Sequence, residues 1–473
     1  MLGTIIKSQI LENLYGVKFI VTFIVCTILV IAGTISGIGR YENQVKDQAD
    51  IITTNEGALK DAGSWWRAAR TGQKVVKPAT KMVLFSSGLE DSVGRTATVR
   101  EGDFPQMEDS IYSTAPIFAV FGELDLTFII KIVISLFAIL FTYDLISGEK
   151  ERGTLKLCLS NSVPRNTYIL GKSIGSFLSM LIPLIIPITI ALLLILTIGN
   201  INFGGDEWTR LGLIILGYVF YMLAFFSIGL FVSSTTKNSA ISFLILLFIW
   251  VLTVLIIPKG AMLVANQMHP IRSINEVRAE QLKLNDNFRS TVWQRTMEEA
   301  QKQLGDNPWS SQEGRRQMFA LRSQIQEELE PEYMKENEKL VDGFKRDQNN
   351  LTNLAINLSR LSPASAVTYI GMNLSGTGYD DQEDFLRQLT GHREQFSKFI
   401  EGEIRKESEG RGRGHGPTTQ GELDVSALPD FRYERLGLDE SLMLVLPDLT
   451  ALLLISIIFY LMGFVFFLRY DVR

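Results

Sequence analysis

Six apolar runs, most of them near the length needed to cross a bilayer, constrain this chain more than any other feature. They are Phe19–Ile38, Leu126–Tyr143, Thr167–Ile198, Leu211–Val232, Ala240–Ile257 and Leu449–Leu468. A helix rises about 1.5 Å per residue, so ~20 apolar residues cross a hydrocarbon core about 30 Å thick. The expected fold class is therefore an all-α polytopic membrane protein with six transmembrane helices. Residues 1–18 are expected to form a cytoplasmic amphipathic helix and 19–38 the first span. Residues 39–125 should form a small α+β extracytoplasmic domain. Residues 126–257 hold spans two to five, with a cytoplasmic loop at 144–166. A larger, mainly helical extracytoplasmic domain is expected over 258–440, and the last span with a cytoplasmic C-terminus over 441–473.

The charges are segregated to match. Of all residues 46% are apolar and 21% charged, averages that a soluble protein shares, but the charges gather in the polar inserts at 41–125 and 259–440. The net charge of −5 argues against a nucleic-acid partner. The two cysteines, Cys26 and Cys158, lie outside both long inserts, so no disulfide framework is on offer there. Short cytoplasmic loops are rich in Lys and Arg. Lys150, Arg152, Lys156 and Arg165 crowd the loop 144–166, Lys7 and Lys18 precede the first span, and Arg469 and Arg473 follow the last. The loop 200–210 instead carries Asp206 and Glu207. This asymmetry places both termini in the cytoplasm and both large inserts outside, in a multi-pass protein of the bacterial inner membrane. The run Phe19–Ile38 is longer than a signal-peptide core and follows Glu12, so it reads as a retained span. Ile5, Ile6, Ile10, Leu11 and Leu14 give the leader one apolar face, suited to lie along membrane lipid.

The segment 143–172, YDLISGEKERGTLKLCLSNSVPRNTYILGK, is the most specific stretch. By composition it is a solvated inner loop with positive-inside charge. Its order says more. Ser147-Gly148-Glu149-Lys150-Glu151-Arg152-Gly153-Thr154-Leu155, then Pro164-Arg165 and Gly171-Lys172, closely resembles the permease subunits of type-2 ATP-binding-cassette (ABC) transporters. The ending Phe467–Arg473 and the leader Glu12-Asn13-Leu14 are similar too. The permease for nitrous-oxide-reductase maturation belongs to that family, and the long inserts here look like a subgroup with large extracytoplasmic domains. The resemblance implies a coupling helix in this loop that docks on a separate cytoplasmic ABC ATPase. It carries the coupling role to Glu149, Glu151, Arg152, Gly153, Thr154, Pro164 and Arg165. It also implies a second permease chain, as homo- or heterodimer, with ATP and Mg bound by the partner ATPase. No cofactor is expected on this chain, which is read as a non-catalytic subunit. Gly171-Lys172-Ser173 matches the end of a phosphate-binding loop, but Asn166 stands where the first glycine is needed and no strand precedes it.

Membrane-buried charge would mark an ion relay, and here only Lys131, Asp144 and Asp448 lie near span ends. Pro183 and Pro187 fall within the third apolar run. Each removes a helix hydrogen bond, giving either a static kink or a bend or re-entrant break that shapes a pathway.

In the first insert a helix is expected to about Leu59, then strands at Lys81–Ser86 and Arg95–Val99 with turns at Gly88 and Gly94. Trp65-Trp66 suit packing or an interface anchor better than a ligand site. In the second insert, Ile274, Val277, Leu284, Phe288 and Val292 recur at helical spacing. Ser310 with Glu313 signals a second helix start, and Pro331 should interrupt it. Phe385, Leu389, Phe396 and Phe399 line a further helix. Leu361–Tyr379 is apolar but interrupted, as if resting on the outer membrane surface, and Glu409–Glu422 is a glycine-rich flexible loop. His269, His392 and His415 are far apart, and no metal site is expected.

Three functions fit: an ATP-driven export permease, an ATP-driven mechanical transmitter acting through its outer domains on a periplasmic partner or lipoprotein, and a membrane-anchored scaffold without an ATPase. A docking loop at 147–172 favours the first two.

Overall fold

The computed structural model describes residues 1–100, 107–108, 125–160, 163–304, 311–410 and 423–470. Asn161, Ser310, His415, nearly all of Glu409–Glu422 and the last three residues lie outside them. Among the described residues six helices are long and apolar enough to cross a membrane, and the expected all-helical polytopic fold is observed.

Helix α1 (Leu2–Leu14) is followed by α2 (Val17–Lys60). With 44 residues, α2 extends about 66 Å at ~1.5 Å per residue, so the first span and the polar run after it are one rod. Helix α3 (Trp65–Thr71) opens at Ser64, whose side chain accepts the Arg67 N–H. Strand β1 (Gln73–Val76) pairs antiparallel with β2 (Thr96–Val99), Gln73 opposite Val99; α4 (Glu90–Val93) lies between them. The expected strand at Lys81–Ser86 is absent. Lys81–Leu84 forms a 3₁₀ turn started by Thr80, whose hydroxyl accepts the Met82 N–H at 3.3 Å. Met82, Val83, Leu84 and Phe85 are all buried, and an unbroken apolar run cannot distinguish a strand from a buried turn.

Next come α5 (Leu126–Thr142), α6 (Ser147–Arg152), α7 (Thr154–Ser160), α8 (Arg165–Thr197) and α9 (Gly205–Thr235). The fifth span is α10 (Ser239–Trp250), a π-helical turn (Val251–Ile256) and α11 (Ile257–Met268). Pro258 explains the wide turn. It offers no N–H, so the Thr253 carbonyl is free to accept the Ser362 hydroxyl instead.

Two compact units divide the chain. Residues 261–358 form one of them, built on α12 (Ile274–Leu304) and α13 (Gln312–Ser359). These pair as an antiparallel hairpin. Gln281 bonds Asn337 at 3.1 Å, the Phe288 and Tyr333 rings stack, and Arg295 meets Glu328. Val277 and Val292 are buried along the stripe expected from sequence. The start of α13 is marked by Ser311, which accepts the Gly314 N–H at 3.0 Å. Pro331 does not interrupt α13. It sits on an exposed face, where water can satisfy the carbonyl it leaves unbonded.

The other unit holds the remaining elements: α14 (Pro363–Ser375), α15 (Tyr379–Gly410) and α16 (Leu438–Arg469). Among the described residues two apolar cores sit within it. One fills the span bundle. The second joins Leu59, Trp65, Ala68, Val75 and Val99 to Phe385, Leu389, Phe396 and Ile400 of α15. The first insert and the end of the second therefore share a core, and the boundary between two outer domains drawn from sequence cuts across it. Trp65 meets Phe399 edge-on at 5.4 Å, whereas Trp66 is exposed beneath Arg70.

Helix α14 does not rest on a surface. Every one of its residues is buried, and it packs between α5, α9 and α16. Small residues permit this approach: a Cβ at Gly217 of α9 would stand 2.8 Å from Ile370, and one at Gly371 would stand 2.7 Å from the Thr127 hydroxyl.

Candidate functional site

The loop between α5 and α8 is a clamped structure. Glycine 153 takes φ of 72° and breaks it into two short helices, α6 and α7, a left-handed conformation that costs glycine little. Ile146 and Leu155 root it in the bundle core.

Four spans hold it. Glu149 is buried and accepts from Tyr168 and Lys172 of α8. Lys150 donates to the Ser234 carbonyl and, at 3.1 Å, to the Thr236 carbonyl, at the end of α9; a cation there also suits the negative pole of the helix. Ser233 of α9 accepts the Ile146 and Ser147 N–H groups at 3.0 and 3.1 Å. Glu151 accepts the Ser239 N–H at 3.0 Å and its hydroxyl at 2.5 Å, placing an anion at the positive pole of α10. Arg165 reaches α16, donating at 2.9 Å to the carbonyls of both Leu468 and Tyr470.

The residues singled out from sequence thus divide. Glu149 and Arg165 face inward as anchors, and Glu151 is exposed but engaged at the start of α10. Arg152, Thr154 and Pro164 are exposed, and Gly153 is the hinge between the short helices. Sequence reasoning missed Lys156 and Leu157, which lie on the exposed side, Leu157 at 67% exposure. An apolar side chain among charges in a membrane-edge loop was the available signal. It also missed the partners Tyr168, Lys172 and Ser233, which only folding brings near.

At the same end of the bundle, α1 lies against α8. A Cβ at Gly171 would stand 2.7 Å from Ile5, and one at Gly175 2.8 Å from the Gln9 Cβ. Asn13 donates to Ser179 at 2.6 Å. The Gly171-Lys172-Ser173 triplet is thus helical and committed to packing and to Glu149. Lys18 meets Asp144 at 2.6 Å. Pro183 and Pro187 are buried within α8, which runs unbroken from Arg165 to Thr197, so α8 contains no re-entrant break. Asp448 is fully buried and paired with Arg360 at 2.8 Å. Among the described residues no group of three or more His, Cys, Asp or Glu is placed to hold a metal ion.

A family model described as ABC-2 family transporter protein matches residues 4–472. The chain belongs to the ABC-2 transporter family. The match takes in both polar inserts as well as the spans and loop that carry the resemblance in sequence. No curated protein matches the chain. Membership makes this ABC-2 protein a membrane subunit of an ABC transporter, a transport component, and implies a partner ABC ATPase. In such a subunit, a loop fixed to four spans yet presenting a row of side chains outward can receive a push and pass it on.

Proposed function

We propose that this ABC-2 protein is the permease subunit of an ATP-driven exporter, pairing with a second permease chain and receiving force from a cytoplasmic ATPase through α6 and α7. The clamped loop is the observation that carries the reading. Its inner contacts to α8, α9, α10 and α16 make it stiff, and its outer face offers Arg152, Thr154, Lys156 and Leu157 for docking. Positive-inside charge supports cytoplasmic termini and an inner-membrane location. Exposed apolar side chains along the spans, among them Ile28, Leu193, Phe248 and Ile458, suit lipid and a second permease chain. ATP and Mg belong to the ATPase. The long inserts suit a longer subgroup of the family with large extracytoplasmic domains, related to the nitrous-oxide-reductase maturation permease.

A second reading, a mechanical transmitter, is favoured by the α12–α13 hairpin, whose exposed Trp293 and Phe319 offer aromatic contacts to a periplasmic partner. Both readings share the docking face. Substituting Arg152→Glu with Leu157→Asp should strip the ATPase from purified complex while the membrane subunit stays monodisperse. Undiminished co-purification, with ATP hydrolysis unchanged, would refute the docking assignment.

A further inference from the structure

Three cations, two of them buried and Arg435 half-buried, converge on the C-terminal end of α14. Arg210 of α9, 1% exposed, donates to the Leu374 carbonyl at 3.4 Å. Arg435, on the arm leading to α16, donates to the same oxygen at 3.0 Å. Lys77, just after β1 and 2% exposed, donates to the Gly376 carbonyl at 3.0 Å. The last carbonyls of a helix lack partners within it and form its negative pole, so they can satisfy cations that burial would otherwise penalise. Gly376 takes φ of 72°, which turns its carbonyl out of the helix.

Each cation belongs to a different part of the unit. Arg210 also bonds the start of α16, through Ser441 at 2.9 Å and the Leu436 carbonyl at 2.8 Å, and pairs with Asp206 at 2.7 Å. Lys77 pairs with Glu90 at 3.3 Å inside the outer domain. Arg435 lies on the arm whose Phe431 and Tyr433 pack against Phe385. Helices α9 and α16 are in close register along their length, since a Cβ at Gly463 would stand 3.0 Å from the Phe231 backbone. At their other ends α9 is gripped by Lys150 of the docking loop and α16 by Arg165, where that loop enters α8.

We propose that Arg210, Lys77 and Arg435 form a clasp on the end of α14 through which displacement of the α9–α16 pair reaches the outer domain, with Arg210 as the positioning residue at its centre. The inference rests on the ATPase-coupled reading above and adds the route by which the stroke crosses the membrane. A single guanidinium that bonds α9's own Asp206, α16 and α14 at once keeps these elements moving together. Lys77 and Arg435 extend the same hold to the outer domain.

The test uses the complex purified with its ATPase in nanodiscs, with Cys26 and Cys158 replaced by Ser. Spin labels at Leu361→Cys and Glu401→Cys, both exposed positions, report the distance between the start of α14 and helix α15 of the outer domain. Adding ATP with vanadate should shift the parent distance distribution. In Arg210→Gln the ATPase should still co-purify and hydrolyse ATP at the basal rate, but the shift should be lost. Arg435→Gln, acting from the arm, should weaken it in the same way and serves if Arg210→Gln does not fold. A full shift in either folded variant overturns the clasp, as does a parent complex that hydrolyses ATP without any shift. Absence of a co-purifying ATPase overturns the coupled reading itself, and the clasp with it.

Discussion

Removing the Phe385 ring should open the domain that α15 shares with the first insert without disturbing the span bundle. The ring is fully buried and meets Phe431 and Tyr433 edge-on, with centroids 5.8 and 5.4 Å away. Phe385→Ala loses the transfer energy of the ring and leaves a cavity, together about 3–5 kcal/mol. The two edge-on contacts, roughly 0.5–1.5 kcal/mol each, are part of that loss. At ~1.4 kcal/mol per tenfold, the open population should rise by about two to three and a half orders of magnitude. Hydrogen exchange on the complete protein in nanodiscs reads this directly. Amides of α15 near Leu389 and Phe396 should exchange faster by about that factor, while those of α8 and α9 keep their rates. The contrast follows from the two separate cores, since Phe385 belongs to the cluster with Trp65 and Val75 and not to the bundle. Unchanged exchange in α15, or an equal increase across α8 and α9, would show that this domain is not stabilised as described.

Breaking the Glu149–Lys172 pair from one side leaves a buried charge alone, so Glu149→Gln should cost about 3–5 kcal/mol and lower the thermal midpoint of the purified protein; Glu149→Gln with Lys172→Met should recover much of it, and equal losses in both variants would count against the buried anchor. Burial pushes the Asp381 carboxyl up to about 6, against the opposing pull of Lys77 and Arg435. An unfolded aspartate releases its proton near ~3.9, so the folded domain holds the proton more tightly and this residue's contribution to stability falls as pH rises through the window between those values. Asp381→Asn should therefore gain stability relative to the parent between pH 4 and pH 7, and parallel stability curves would contradict the assignment. Cysteines at Thr54 and Arg387, both exposed, should react with an impermeant thiol reagent added from outside, whereas one at Asn166 should not; the reverse pattern would invert the topology.

Length and hydropathy alone determined that six helices cross the membrane, because a hydrocarbon slab accepts so few backbone solutions. The residue order around Gly153-Thr154 was enough to point to the family that the whole-chain match shows. The apolar stripe through Phe385, Leu389 and Phe396 likewise announced a buried helical face. Partners were a different matter, since a stripe says that a face is buried and not against what. Phe385 finds Phe431 and the first insert's Trp65 cluster only because the chain returns to it after some 300 residues. Glu149 reads as a surface charge in a loop dense with charge, and becomes an anchor because Tyr168 and Lys172 of α8 stand over it. Leu361–Tyr379 is too short and interrupted to span, so hydropathy assigned it to a surface. Its small residues let α5, α9 and α16 close around α14, and the cations on three distant segments then satisfy its end. One-dimensional pattern fixes which surfaces must leave water; which surfaces meet is decided by packing, and the buried charges here acquire their roles only from what they meet.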